Sequence, residues 1–299
     1  MKFDEFTAKV VDGIKVRMLE AGYEPEIRTD KILKNNGILL TALNIRMKQD
    51  DVCPTIYLEP FYRDCTRGRS IDSIVDEILK LHRSRYEDSA VSMKNVLDEK
   101  DVLDNIILRL VNREKNREIL ETVPYIEFQD LAVTFRRVIT LNDTGLASTL
   151  VTMKDIKRWG IDIDHMYRKA LENTQRMLPP VRRSLFEILK DRCTFPGVSL
   201  PEDAKDDLYI MTNEYDINGA TVILYEDMLD ACARELDDDI YVLPCSVHEL
   251  LYIGAHAGYD GDYLRELVRE ANTSAIGPMD YLSGSVYLYR RSDGSLTRI

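Results

Sequence analysis

The segment between residues 244 and 249 carries the side chains best suited to chemistry. A hydroxyl, an imidazole and a carboxylate, those of Ser246, His248 and Glu249, fall within four positions. If the segment is extended, Ser246 and His248 point to one side and Glu249 to the other, because successive side chains of a strand alternate. The spacing therefore permits contact between serine and histidine and disfavours a histidine–glutamate pair.

Two kinds of hydrolytic site can be compared with this segment. The zinc protease pattern His-Glu-x-x-His places two imidazoles one helical turn apart, and it fails here because the second position is Tyr252. A Ser–His–acid triad stays open because its members need not be close in sequence, although the chain has no Gly-x-Ser-x-Gly elbow. The simpler interpretation is that Ser246 and His248 form hydrogen bonds with the neighbouring backbone.

Two other segments have some features of ligand sites. The loop 254–261 joins a predicted strand to a predicted helix, as phosphate loops do, but it lacks the Gly-Lys-Ser/Thr ending, and we expect Asp262 to cap the helix instead. The run 237–239 consists of three aspartates, and consecutive carboxylates usually point apart rather than converge on a cation. We therefore expect a solvated acidic turn, no metal site and no cofactor.

The elements that position these residues follow from hydrophobic spacing and turn residues. Helices are predicted at 2–20, from Ser70 onward, and at 113–121, 153–160, 162–176, 181–192, 226–236 and 262–272. Extended segments are predicted at 26–33, 38–47, 53–62, 105–111, 128–139, 147–153, 208–213, 219–225, 240–244, 249–254, 285–291 and 295–298. Turns at 35–37, 216–219 and 292–294 favour hairpins.

This order of elements predicts an α+β fold of largely antiparallel sheets built from hairpins, with helices packed on their faces. We expect an N-terminal α+β region at 1–122 and a C-terminal α+β region at 123–299. The loop 194–207 contains two prolines and a glycine and is a candidate sub-boundary.

The net charge of −12 is concentrated in one part of the chain. Residues 200–299 carry 20 acidic and 7 basic side chains, a balance of −13. Such a charge opposes nucleic acid, whose binding requires the neutralisation of phosphates. Basic clusters at 63–69 and 109–117 are interleaved with acidic residues, which favours local ion pairs. We expect no nucleic-acid partner, and the acidic third favours a basic protein partner.

The cysteines and the hydropathy pattern indicate the cellular compartment of the protein. Five cysteines without a Cys-x-x-Cys pair are typical of free thiols used as small apolar residues: Cys53, Cys65, Cys193, Cys232 and Cys245. No apolar run approaches the ~18–20 residues needed to cross a bilayer, and acidic residues at positions 4 and 5 do not suit a secretory signal. We therefore expect a cytoplasmic protein with no membrane partner.

Six short motifs give the chain a family resemblance. They are Val-Asn-Arg-Glu-Lys-Asn (111–116), Leu-Ala-Val (131–133), Lys-Arg-Trp-Gly (157–160), Asn-Gly-Ala (218–220), Tyr-Val-Leu-Pro-Cys-Ser-Val-His-Glu (241–249) and Glu-Ala-Asn-Thr (270–273). Together they make nearly the whole chain resemble a bacterial family catalogued only as a domain of unknown function and frequent in anaerobic gut bacteria. In that family the position of Cys245 is often serine, so the resemblance implies no catalytic role for this thiol and no established activity.

Two functional hypotheses follow. The first is a non-enzymatic binding or regulatory module with an acidic C-terminal third. The alternative is a hydrolase-like enzyme that uses Ser246 and His248 in a pocket, with Glu249 or another acid nearby. The incomplete catalytic patterns favour the first.

Overall fold

The chain divides into two compact units. The computed structural model describes the backbone of residues 1–46, 55–97, 102–142, 145–185 and 208–299, and their side chains except those of 85–97. One unit, here the N-terminal unit, comprises Met1–Lys34 and Ile38–Glu99, and the other, the C-terminal unit, comprises Asn35–Gly37 and Lys100–Ile299. Residues 100–122 thus group with the C-terminal unit, whereas the sequence predicted a boundary after residue 122. The reason is that the strand at 106–112 pairs along its whole length with residues 131–137. The candidate sub-boundary at 194–207 lies outside the described residues.

The N-terminal unit packs helices on a small antiparallel sheet. Its helices are α1 (Phe3–Glu20), α2 (Glu59–Thr66) and α3 (Ile71–Leu97), and its strands are β1 (Glu26–Leu33), β2 (Leu39–Arg46) and β3 (Thr55–Tyr57), in the order β1-β2-β3. The apolar stripe of α1 is fully buried against the sheet and α3, as its three- and four-residue spacing predicted. Its buried residues are Phe6, Val10, Ile14 and Met18.

Local sequence signals between residues 26 and 73 are largely confirmed. The turn between β1 and β2 holds Asn36 at φ 61° and Gly37 at φ 71°, the left-handed conformation that suits these two residue types. Ser70 caps α3, since its hydroxyl accepts a hydrogen bond from the Ser73 amide at 3.2 Å. The extended segment predicted at 53–62 is wrong after β3, because α2 begins at Glu59; residues 53–54 lie outside the described range.

The C-terminal unit contains two antiparallel sheets. In the smaller sheet, β6 (Leu131–Asn142) pairs on one side with β4 (Ile106–Asn112) and on the other with β5 (Tyr125–Phe128) and then β7 (Gly145–Leu150). The larger sheet has the order β13-β12-β10-β11-β9-β8. Its strands are β8 (Pro180–Ser184), β9 (Leu208–Asn213), β10 (Ile240–Leu243), β11 (Leu250–Gly254), β12 (Tyr287–Arg290) and β13 (Ser295–Arg298).

Helices of the C-terminal unit cover these sheets. They are α4 (Arg117–Leu120), α5 (Met153–Trp159), α6 (Ile163–Met177), α7 (Met228–Glu235) and α8 (Gly261–Ser274). Helix α6 is fixed to β4 by polar side chains, because the Thr174 hydroxyl accepts a hydrogen bond from the Leu108 amide at 2.9 Å. Helix α8 packs Leu264 and Val268 on the larger sheet. The described residues confirm the α+β class with antiparallel sheets, and no helix among them is long and apolar enough to cross a membrane.

Two predicted elements of this unit are wrong. Residues 219–224 form a buried 3₁₀ helix rather than a strand, because both edges of β9 are already occupied by β8 and β11. The predicted helix 181–192 begins instead as edge strand β8, in which Arg182 pairs with Glu235 at 2.6 Å. Charged side chains of this kind are typical of edge strands. Residues 186–192 lie outside the description.

The 3₁₀ helix depends on a glycine with no room for a side chain. A Cβ at Gly219 would lie 2.1 Å from the Thr212 hydroxyl and 2.2 Å from the His248 carbonyl oxygen. We predict that Gly219→Ala lowers the free energy of unfolding by about 1–3 kcal/mol or more, the range for overpacked sites. Urea titration followed by circular dichroism measures the change.

Gly284→Ala is the matched control, since its Cβ would meet nothing closer than 3.4 Å. Equal stability of the Gly219→Ala variant and wild type would contradict the packing described for the 3₁₀ helix.

Candidate functional site

The imidazole of His248 has two partners, one from the backbone and one acidic. Its Nδ1 accepts a hydrogen bond from the Asn218 amide at 3.4 Å. The neutral ring therefore carries its proton on Nε2, which lies 3.3 Å from Oδ1 of Asp280. The ring is partly exposed, with 37% of its side-chain surface accessible. The geometry gives a solvent-accessible histidine–aspartate pair whose tautomer is fixed by the backbone.

The Ser246 hydroxyl is not part of this pair. It accepts a hydrogen bond from the His248 backbone amide at 3.0 Å, a local turn typical of serine. The extended geometry assumed for 246–249 is wrong, because Ser246 forms a single bridge to Tyr281 and the chain bends at 247–248. The simpler interpretation was that both side chains form hydrogen bonds with the neighbouring backbone. It is confirmed for Ser246 and for Nδ1 of His248, whereas Nε2 of His248 faces Asp280.

Glu249 does not reach the imidazole in this arrangement. Its negative charge acts instead on Cys245, whose thiol is buried in an apolar cluster with Leu243 and Ile253. Burial, followed by the charge of Glu249, raises the pKa of Cys245 from 9.0 to about 12. Of the three candidate catalytic residues, therefore, only His248 faces an acid, and that acid is Asp280.

The segment 244–247 is positioned by the segment 280–283. Backbone hydrogen bonds join the Val247 amide to the Asp280 carbonyl at 2.8 Å and the Leu282 amide to the Cys245 carbonyl at 2.9 Å. A third joins the Ser283 amide to the Pro244 carbonyl at 2.8 Å. Asp280 is thus held beside His248, 32 residues earlier in the chain, by pairing between these two segments, which no local sequence pattern indicates.

Asparagine side chains bind the remaining carbonyl groups of this segment. Asn36 donates to the Tyr281 carbonyl at 2.7 Å, Asn112 to the Leu282 carbonyl at 2.8 Å, and Asn272 to the Ser283 carbonyl at 2.9 Å. Buried irregular backbone requires such partners. Two of these asparagines, Asn112 and Asn272, belong to the motifs that gave the family resemblance, so those motifs position the segment rather than perform chemistry.

A carboxylate that sequence analysis missed fixes the far end of the segment. Asp130, in the turn between β5 and β6, accepts hydrogen bonds from the hydroxyls of Ser283 at 2.6 Å, Ser285 at 3.0 Å and Tyr287. Burial, followed by the charge of Asp130, raises the pKa of Tyr287, so this phenol stays a donor. The sequence signal for this contact is the spacing Ser-x-Ser-x-Tyr at 283–287. Alternate residues of an extended segment share a face, so three hydroxyls at this spacing can point to one acceptor.

The other candidate segments have structural roles. Asp238, in the run 237–239, accepts hydrogen bonds from the backbone and ring of His256, while Asp237 pairs with Arg291 at 2.7 Å. The helix after the loop 254–261 is capped by Asp260, not by Asp262 as expected. Among the described residues, no three His, Cys, Asp or Glu side chains converge as metal ligands.

Two neighbouring arginines of the C-terminal unit are a second feature that sequence analysis did not identify as a pair. Arg109 and Arg136 lie in paired strands β4 and β6 and are partly buried. Burial lowers the pKa of both, that of Arg136 to about 10, and the positive charge of Arg109 adds to the effect on Arg136. The sequence signal for this pair is Arg109, a charged residue at the centre of the otherwise mostly apolar strand 106–112.

A surface cavity of about 270 Å³ lies elsewhere in the unit, beside α4. Charged residues dominate its lining: Arg113, Glu114, Arg117, Leu120, Glu121 and Tyr125. Two arginines of this region form the expected ion pairs, Arg117 with Glu114 and Arg113 with Glu127 at 2.5 Å. The expectation is wrong for Arg109, which has no ion pair among the described residues. Neither Ser246 nor His248 lines this cavity.

Comparison with known proteins identifies the family. Residues 3–291 match a family of unknown function, DUF5688. The chain belongs to this family. The match covers almost the whole chain, as the motifs predicted, and it brings no activity with it. No curated protein and no solved structure matches the chain.

The burial of Cys245 generates a test of the site geometry. A rise of the thiol pKa from 9.0 to about 12 lowers the thiolate fraction about a thousandfold at neutral pH, and the thiolate is the reactive form. We predict that iodoacetamide alkylates Cys65, which is partly exposed, in the native protein, whereas Cys245 reacts only after unfolding in urea. Peptide mass spectrometry measures both.

The urea-unfolded chain is the control, because there the two thiols should react at similar rates. Native alkylation of Cys245 as fast as that of Cys65 would contradict the buried position of residues 243–245.

Proposed function

We propose that the protein is a non-enzymatic binding module whose C-terminal unit presents an acidic surface to a basic protein partner. The acidic surface consists of Asp227, Asp230 and Asp293. The observation that carries the proposal is that Asp227, just before α7, and Asp293, in the turn between β12 and β13, are exposed and have no ion-pair partner among the described residues. Tyr289 has its pKa raised first by burial and then by the charges of these three aspartates, partly offset by Arg234.

The charge of the acidic surface is poorly compensated. Asp230 pairs with Arg234 at 2.7 Å, but among the residues that the structure describes, neither Asp227 nor Asp293 has a basic group within ion-pair distance. Hydrogen bonds from Ser295, followed by the charge of Arg290 at longer range, lower the pKa of Asp293, so its carboxylate stays ionised. Carboxylates without an ion-pair partner attract cationic groups at long range.

Two exposed acids of α8 differ from these. Asp262 pairs with Arg265 and Glu266 with Arg269, so each of these two negative charges has a positive neighbour on the same helix. The acidic surface differs from them because two of its carboxylates have no ion-pair partner among the described residues. A partner with clustered lysine or arginine side chains fits this distribution, and its association should weaken with salt.

The proposal includes a cytoplasmic location. Cys65, Cys232 and Cys245 are free thiols in the described part of the chain, which suits a reducing compartment.

The binding proposal is tested by neutralising the acidic surface. We predict that changing its three aspartates to asparagine weakens binding of a fluorescent oligolysine peptide by about tenfold at low salt, because the long-range attraction is lost. Fluorescence anisotropy measures the affinity. The same variant should fail to capture a basic protein that the wild-type chain binds stoichiometrically from its native host, identified by mass spectrometry.

The matched control neutralises three exposed acids that have basic neighbours, through Asp262→Asn, Glu266→Gln and Glu172→Gln. It should bind as the wild type does. Equal weakening by both triple variants would show a non-specific charge effect and reject the acidic surface as the binding site.

The hydrolase alternative has one supporting contact, the pairing of His248 with Asp280. It would require the Ser246 hydroxyl to leave the backbone amide and approach the imidazole. We predict that wild type, Ser246→Ala and His248→Ala show the same background rates on ester, phosphoester and peptide substrates. A wild-type rate that falls 100-fold or more in His248→Ala, the range for a lost general base, would instead establish an enzyme.

A further inference from the structure

The buried arginines of the smaller sheet lie side by side. In the register of β4 and β6, Arg109 is opposite Thr134 and Ile107 is opposite Arg136. Residues opposite one another share a face of the sheet, and diagonal neighbours on that face are about 7–8 Å apart. Arg109 and Arg136 are diagonal neighbours of this kind, so their side chains project from the same face.

These two guanidinium groups lack the partners that buried charges normally have. The Nε of Arg109 is buried and has no hydrogen-bond partner. Arg136 donates from Nε to the Ser148 hydroxyl and from Nη2 to the Ser148 carbonyl, both at 2.8 Å. In the described part of the chain no carboxylate lies within ion-pair distance of either, and Asp280 acts on Arg109 only at longer range.

An uncompensated pair of like charges is costly inside a protein. Buried charges are normally paired, and two neighbouring positive groups destabilise each other further. Ser148 holds the Arg136 guanidinium in one orientation through two hydrogen bonds, which fixes its remaining N–H groups. Neither arginine is fully removed from solvent, because both residues are only partly buried.

We propose that Arg109 and Arg136 together bind one small oxyanion, a phosphate or carboxylate group of a small-molecule ligand. The planar fork of a guanidinium suits both groups, because each offers two oxygens for paired N–H donors. The net charge of −12 opposes polyanions such as nucleic acid, so the ligand is small. This site is separate from the acidic surface, and either proposal can fail without the other.

The experiment measures the melting temperature of the full chain with sodium phosphate and with sodium acetate, against sodium chloride at equal ionic strength. A ligand that binds only the folded chain raises its melting temperature. We expect a rise beyond chloride with one of the two anions, and which anion acts identifies the ligand class. Isothermal titration then gives its affinity.

The variants Arg109→Gln and Arg136→Gln should weaken that affinity at least tenfold. Arg109→Lys keeps the charge but loses the fork, so it should also weaken binding. The control is Arg117→Gln, an exposed arginine in an ion pair with Glu114, which should leave the affinity unchanged.

Two results would overturn the proposal. One is that neither anion raises the melting temperature of the wild type beyond chloride. The other is that Arg117→Gln weakens binding as much as Arg109→Gln does. If Arg109→Gln does not fold, a second measurement tests the proposal. Wild type should broaden the ³¹P resonance of phosphate or the ¹³C resonance of acetate, and Arg136→Gln should not.

Discussion

The structure of the C-terminal unit depends on one carboxylate. Asp130 lies in a turn of the smaller sheet, yet all three hydroxyl groups that it binds come from the segment leading into β12 of the larger sheet. A carboxylate with three donors is well compensated without any cation. Because Ser283 and Tyr287 are fully buried, their hydroxyls have no water to replace this acceptor. The two sheets of the unit are therefore joined through polar groups as well as through their common apolar core.

The position of the candidate site follows from this connection. Once residues 283–287 are fixed, the preceding residues run beside 244–247 and place Asp280 against His248. This stretch is irregular, so its carbonyl groups depend on asparagine amides from distant elements, with Asn112 donating from β4 and Asn272 from α8. Two residues of the motifs that gave the family resemblance thus hold the backbone in place. Their role is structural, and it leaves open which surface of the unit meets a ligand.

Much of the fold could be predicted from the sequence, since hairpins and amphipathic helices have local causes. Asn36 and Gly37 supply the positive φ angles of their turn, and the buried stripe of α1 has helical spacing. The segment 219–224 could not be predicted, because its apolar residues suit a strand and only the occupied edges of β9 exclude one. The site was partly predictable: His248 was identified from its residue type, but Asp280 approaches it through tertiary pairing. The neighbouring arginines needed the register of β4 and β6, which sequence alone does not give.

The partly buried charges of this unit differ in how they are compensated. Asp130 is surrounded by donors, and nothing further is needed to account for its presence. Arg109 has a buried Nε without an acceptor and a second guanidinium as its neighbour, although the other residues on its face of β4, Ile107 and Val111, are apolar and buried. A charged group that is removed from water without a full set of partners costs stability, and the Nε of Arg109 is such a group. An anion that completes the coordination of both arginines removes that cost, which is why we regard the arginine pair as a ligand site rather than as part of the core.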